Sequence, residues 1–164
     1  MKRTLGAVLA AVGMVVSATA MAAEGQASRQ ADVARKGGEV MHFDLARTTH
    51  FFDDRDTGGI ETVLANDGDA KQVELIRAHL SHEASRFGRG DFSDPARIHG
   101  ADMPGMAQLA RAGKKLRVSY AELPRGASLT YASGDAAVVS AIHQWFAAQR
   151  SDHGAHAHMH HPGM

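Results

Sequence analysis

Residues 68–88, GDAKQVELIRAHLSHEASRFG, and residues 134–154, GDAAVVSAIHQWFAAQRSDHG, both begin on Gly-Asp-Ala and end on glycine, and their reading decides the fold. Asp69 is placed to cap a helix, with Gln72 three residues on completing a capping box. Val73, Ile76, Leu80, Ala84 and Phe87 then recur at helical spacing, which gathers them on one face. Gly88 suits the position that ends such a helix. The second stretch repeats the plan: Asp135 opens it, Val139, Ile142 and Phe146 point inward, and Gly154 stands at its end. Val73 corresponds to Val139, Ile76 to Ile142 and Leu80 to Phe146.

Each helix follows two runs with strand character. In VMHFDLARTTHFFDD (40–54), Met41, Phe43 and Leu45 alternate with His42 and Asp44, the period of a half-buried strand. DRDTGG (54–59) is turn chemistry that leaves Asp53, Asp54 and Asp56 to solvent, and IETVLAND (60–67) returns as a second strand. KLRVSYAEL (115–123) and GASLTYAS (126–133) form another hairpin around Pro124, Arg125 and Gly126. Between the units lies a loop-rich stretch, GRGDFSDPARIHGADMPGM (88–106), with a short helix after it to about Ala112. The expected fold is α+β: a four-stranded antiparallel sheet with helices on one face. The echo at a shift of 66 residues fits a ββα pseudo-duplication, and it fits equally two unrelated helices with similar caps.

The N-terminus reads as an address. Lys2 and Arg3 precede an apolar run, Leu5 to Val16, that ends in small residues, the pattern of a secretory signal peptide cleaved near Ala22. The run is shorter than the roughly 20 residues a bilayer span needs, so the mature chain is expected to be periplasmic with no integral membrane segment. The division is a signal peptide over 1–22, a flexible lead-in over 23–38, one α+β domain over 39–153 and a His/Met-rich tail over 154–164. Basic and acidic residues number 18 each, and removal of Lys2 and Arg3 leaves a formal charge of −2, which with no basic stripe argues against nucleic acid as a partner. Zero cysteines exclude disulfides and thiolate metal sites.

Eleven histidines remain as the chemistry the chain is rich in. Imidazole is neutral near pH 7 and is the commonest transition-metal ligand. His79 and Glu83 stand four apart at the boundary of the first helix's apolar stripe, able to share a metal or simply to pair; His82 faces solvent. The order HLSHE is not the zinc-protease HExxH, because the histidine spacing differs and the glutamate follows the second histidine. His143 falls at the edge of the second helix's buried stripe, where core burial and ligation both remain open. Trp145 reads as core. In the central loop His99 is flanked by Asp91, Asp94, Met103 and Met106; thioether sulfur suits copper(I). Alternatively Asp102 caps a helix with Pro104 in its first turn. The tail histidines, His153, His156, His158, His160 and His161, have no fixed geometry of their own and read as an auxiliary chelator.

TTHFF (48–52), IRAHLSHEASRFGRGDFSDPARIHGADMPGM (76–106) and AIHQWFAAQRSDH (141–153) resemble a family of small exported bacterial proteins without an established activity, over roughly Met41 to His153. The resemblance implies that His50, His79, His99, His143 and His153 are the shared histidines and the tail an elaboration. Members sometimes carry an aspartate carbamoyltransferase label. That enzyme is a longer chain of two α/β domains with a Ser-Thr-Arg-Thr phosphate loop, which LARTTHFF does not supply. The function expected is therefore binding of a transition metal, copper first and zinc next, by His50, His79, His99 and His143 with the tail assisting. A small metal-dependent or histidine-based enzyme, with His99 as general base beside Asp91 or Asp94, is the alternative. A module binding a small ligand or protein on the open sheet face is a third.

Overall fold

The computed structural model describes residues 7–159. A long helix, α1 (Ala7–Val40), leads into β1 (Thr48–Arg55) and β2 (Gly58–Ala65), then α2 (Ala70–Phe87). Two short helices, α3 (Ser93–His99) and α4 (Met106–Arg111), connect to β3 (Arg117–Leu123) and β4 (Gly126–Ala132), and α5 (Ala136–His153) and β5 (Ala157–His158) follow.

Both long helices start as their sequences dictate. The Asp69 carboxylate accepts the Gln72 amide at 2.9 Å and the Asp135 carboxylate accepts that of Ala137 at 2.9 Å, each cap contributing about 1 kcal/mol. The reciprocal half of the expected capping box is absent: the Gln72 side chain instead accepts the backbone N–H of Asp44 at 2.9 Å, tying the start of α2 to the chain that enters β1.

The sheet has five strands in the order β3-β4-β2-β1-β5. The four expected strands pair antiparallel, with His50 opposite Val63, Phe52 opposite Glu61, and Glu61 opposite Leu129. The fifth is the correction: β5 adds to the free edge of β1 in parallel, His50 beside Ala157 and Phe51 beside His158, so the sheet is mixed. Opposed residues share a face. That rule puts His50, Phe52, Glu61, Val63, Ala127, Leu129 and Tyr131 under α2 and α5. Thr49, Phe51, Ile60, Leu64 and Thr130 lie on the other face, half-buried or exposed.

Several expectations are revised. Residues 41–47 do not join the strand: Asp44 caps a short 3-10 turn over Leu45–Arg47, and Met41 and Phe43 pack into the core from the turn. Asp53 is 4 % exposed rather than solvated, and Asp54 pairs with Arg150 at 3.4 Å. The central stretch holds α3, and α4 is capped by Gly105, not Asp102. A side chain at Gly105 would strike the Ala141 carbonyl at 2.1 Å, and its φ of 77° is one that glycine tolerates best. Met103 and Met106 are core residues. The first part of the tail is ordered, as a 3-10 turn over Gly154–His156 and as β5; His160 and His161 lie outside the described residues.

Residues 23–38, expected as a flexible lead-in, belong to α1. Their attachment is polar. Gln26 and Gln30 donate to the Ser151 carbonyl at 2.8 and 2.9 Å, and Arg29 grips Asp152 through two bonds of 2.5 and 2.7 Å. Val33 is the one buried side chain in that span. Ion pairs of Asp32 with Arg35 and Lys36 at helical spacing add support. No helix among the described residues is long and apolar enough to cross a membrane.

Candidate functional site

A partly open cavity lies between the inner face of the sheet and the helices α2, α3 and α5, with about 50 Å³ open to water. Four of the five core histidines singled out in the sequence line it: His50 from β1, His79 from α2, His99 at the end of α3 and His153 at the end of α5. His143 does not. Its Nε2 sits 3.0 Å from the Arg55 carbonyl and 2.8 Å from that of Gly58, so it clasps the β1–β2 turn from outside the cavity. His82 is exposed, as are His42, His156 and His158.

Three of the rings form a cluster. The His50 and His153 centroids are 5.0 Å apart with planes 24° from parallel, and His99 stands edge-on to His153 at 5.1 Å. The nitrogen Nδ1 of His99 is 2.8 Å from Asp152 Oδ2, a pair almost fully buried. A carboxylate can only accept, so this contact fixes the proton on Nδ1 and leaves Nε2 as the ring's lone pair. Arg29 holds both oxygens of Asp152 and also donates to the His99 carbonyl at 3.2 Å, which makes the N-terminal helix part of the site. His99 therefore does not pair with Asp91 or Asp94. Both of those bind Arg86.

Burial sets the protonation of the cluster. It pushes His50 down to about 3, assisted by the neighbouring rings of His79, His156 and His99. His153 falls well below the usual imidazole value for the same reasons, burial first and then His50, His99 and His156. His79 is lowered to about 4, mostly by burial, with Asp94 opposing. His99 is lowered by burial against the pull of Asp152. All four are neutral imidazoles at pH 7, the form that binds metals or accepts protons. A second, outer groove is lined by Gln30, Val33, His50, Asp152, His153 and His156. His50 and His153 thus form the wall between cavity and groove, and His156 of the tail flanks them on the outside.

The opposite side of the cavity is acidic. Burial raises Glu83 to about 8, with Asp94 adding to the rise and Arg86 opposing it. Glu61 is raised to about 7 by burial, against the hydrogen bond it accepts from the Tyr131 hydroxyl at 2.8 Å. Near neutral pH these carboxyls hold protons that solvated ones would have lost. Carboxyls and imidazoles of shifted pKa converging in a cleft are the usual mark of a functional site.

Positions 79, 83 and 87 of α2 and positions 145, 149 and 153 of α5 stand in the same relation to their caps, and all six line the cavity. Sequence reasoning named three of them for chemistry, His79, Glu83 and His153. It missed Gln149, which lies seven residues after Ile142 and three after Phe146; a polar side chain at an inward position was the available signal. It also missed Glu61, whose strand neighbours gave no such cue. Among the described residues no group of three or more His, Asp or Glu side chains is arranged to hold a metal ion as they stand. No family model matches the chain, nor does any curated protein or solved structure.

Proposed function

We propose that this is an exported protein that binds a transition metal, copper or zinc, through His50, His99 and His153, with His156 of the tail beside them. The observation that carries the reading is the spacing of the three rings, 5.0 and 5.1 Å between centroids. Two imidazoles sharing one ion through Zn–N bonds of about 2.0–2.1 Å at a tetrahedral angle have centroids roughly 5 Å apart. Asp152 on the back of His99 supports it further, since carboxylates hold metal-binding histidines in this way. Binding requires side-chain rotation at His50 or His153, whose rings now lie near parallel, to turn their nitrogens toward one ion. The donors are all nitrogen, and the methionines once expected to add sulfur lie in the core. Such a set favours copper(II) over zinc by the general affinity order. His79 and His143 fall outside the proposed ligands.

Export to the periplasm, with cleavage near Ala22, completes the proposal. The docking residues Gln26, Arg29, Gln30 and Val33 all follow that point, so a mature chain keeps them. The test is metal analysis of the mature chain with His158, His160 and His161 changed to alanine, loaded with copper(II) or zinc and dialysed. One ion per chain is expected, lost in the His50→Gln, His153→Gln double variant and bound about 10- to 100-fold more weakly in Asp152→Asn. Loss of all metal when the tail is silenced, or full retention in the double variant, overturns the proposal.

A further inference from the structure

We propose that the cavity beneath α2 and α5 binds a small uncharged molecule carrying a carbonyl acceptor and N–H donors, the chemistry of a short primary amide. Four buried atoms on its wall have no hydrogen-bond partner: Trp145 Nε1, Gln149 Oε1, Glu83 Oε1 and His50 Nε2. Their residues are 1, 6, 5 and 4 % exposed, in that order. The Glu83 oxygen has a long ionic contact with Arg86, at 3.5 Å, and its carboxyl lies beside Asp94. An indole N–H can only donate and an amide oxygen can only accept, so the site asks for both kinds of partner at once. Each such atom left unpaired in the interior is destabilising, because it has given up its water without gaining a partner. An occupant that met them would recover that cost.

Between these atoms and the other polar groups of the wall, Glu61, His79, Asp94, His99 and His153, lies hydrocarbon from Phe43, Phe52, Leu80, Phe87 and Leu129. A cluster of waters would meet the polar atoms and leave this surface wetted; an amide with a short alkyl group satisfies both. Charge is disfavoured. Arg86 is committed to Asp91, Asp94 and Ser93, and burial raises Glu83 to about 8, which keeps that carboxyl largely protonated near neutral pH. The open space of about 50 Å³ holds roughly three or four waters, and so a molecule of about that many heavy atoms.

Acetamide, acetone and acetate share one shape and differ in donors and charge. Trp145 is the only tryptophan, so its indole N–H resonance reports on the cavity alone. The full mature chain is titrated with each probe in the presence of a chelator, which separates this inference from metal binding. Acetamide is expected to shift the resonance saturably with a dissociation constant on the order of millimolar. Acetone and acetate should bind at least tenfold more weakly, and so should acetamide to Gln149→Met. If that variant does not fold, Trp145→Phe takes its place, read by a diminished thermal stabilisation by acetamide. An absent or unsaturable acetamide response means buried water only and overturns the inference. So does acetate or acetone binding as well as acetamide, or a Gln149→Met chain that binds acetamide unchanged.

Discussion

Helices α2 and α5 are each 18 residues long, each follows a Gly-Asp cap, and each lies over strands of the other hairpin, α2 on β4 and β3 and α5 on β1 and β2. From matching positions they present different side chains to one cavity: His79, Glu83 and Phe87 from the first, Trp145, Gln149 and His153 from the second. Their sheet edges differ as well. The outer strand β3 is open to solvent along most of its length, whereas β1 is covered by β5 and approached by α1. The imidazole cluster lies at the covered edge. Two like units thus make the scaffold and most of the cavity, and segments outside both units, α3 with His99, α1 with Arg29 and the tail with His156, complete the chemistry at one end only.

The sharpest way to break this comparison is to truncate the matching pair Trp145 and His79. Trp145→Ala should cost about 3–5 kcal/mol, as a fully buried aromatic does. His79→Ala, half-buried, should cost about 1 kcal/mol; equal midpoints in urea unfolding would mean the helices share the load evenly.

The next effect is set by pH. The folded pKa of Glu83 is raised to about 8 from 4.5, so its contribution is fully present below 4.5 and is lost as pH rises through 8. Glu83→Gln should remove that loss, improving stability at pH 8 relative to pH 4.5 by on the order of 3 kcal/mol. Glu61 leaves a smaller slope of the same sign. Unfolding of both proteins across that range checks it, and parallel curves would place the Glu83 carboxyl in a solvated setting.

A smaller loss is expected from Arg29→Ala. Asp152 is buried but Arg29 is half exposed, so the cost falls between that of exposed and buried pairs, about 2 kcal/mol. Smallest are the caps: Asp69→Ala and Asp135→Ala should each cost about 1 kcal/mol. Thermal or urea unfolding would show whether the two helices remain matched there.

The regular parts of this fold were legible because their signals are local. Apolar spacing and an aspartate cap located α2 and α5 to within a residue or two, and the turn residues located both hairpins. What escaped is held by contacts that leave no period. The span 23–38 lacks an apolar stripe because α1 docks through Gln26, Arg29 and Gln30, side chains that read equally well as solvated. The two residues of β5 are too few to alternate. Met41 and Phe43 looked like strand residues because a loop that buries every second side chain mimics one. At the site, helix phase placed His79 and His143 at similar boundaries, yet only His79 reaches the cavity. The deciding fact is which side of the helix meets the β1–β2 turn, a tertiary property. The partnership of His99 with Asp152, 53 residues apart, is likewise invisible to spacing.

The polar seam between α1 and the body has one more consequence. With Val33 as the buried side chain between 23 and 38, this arm covers little hydrocarbon, so separating it from the body would carry a small heat-capacity change. Without this arm the carboxylate behind His99 would lose its guanidinium clamp.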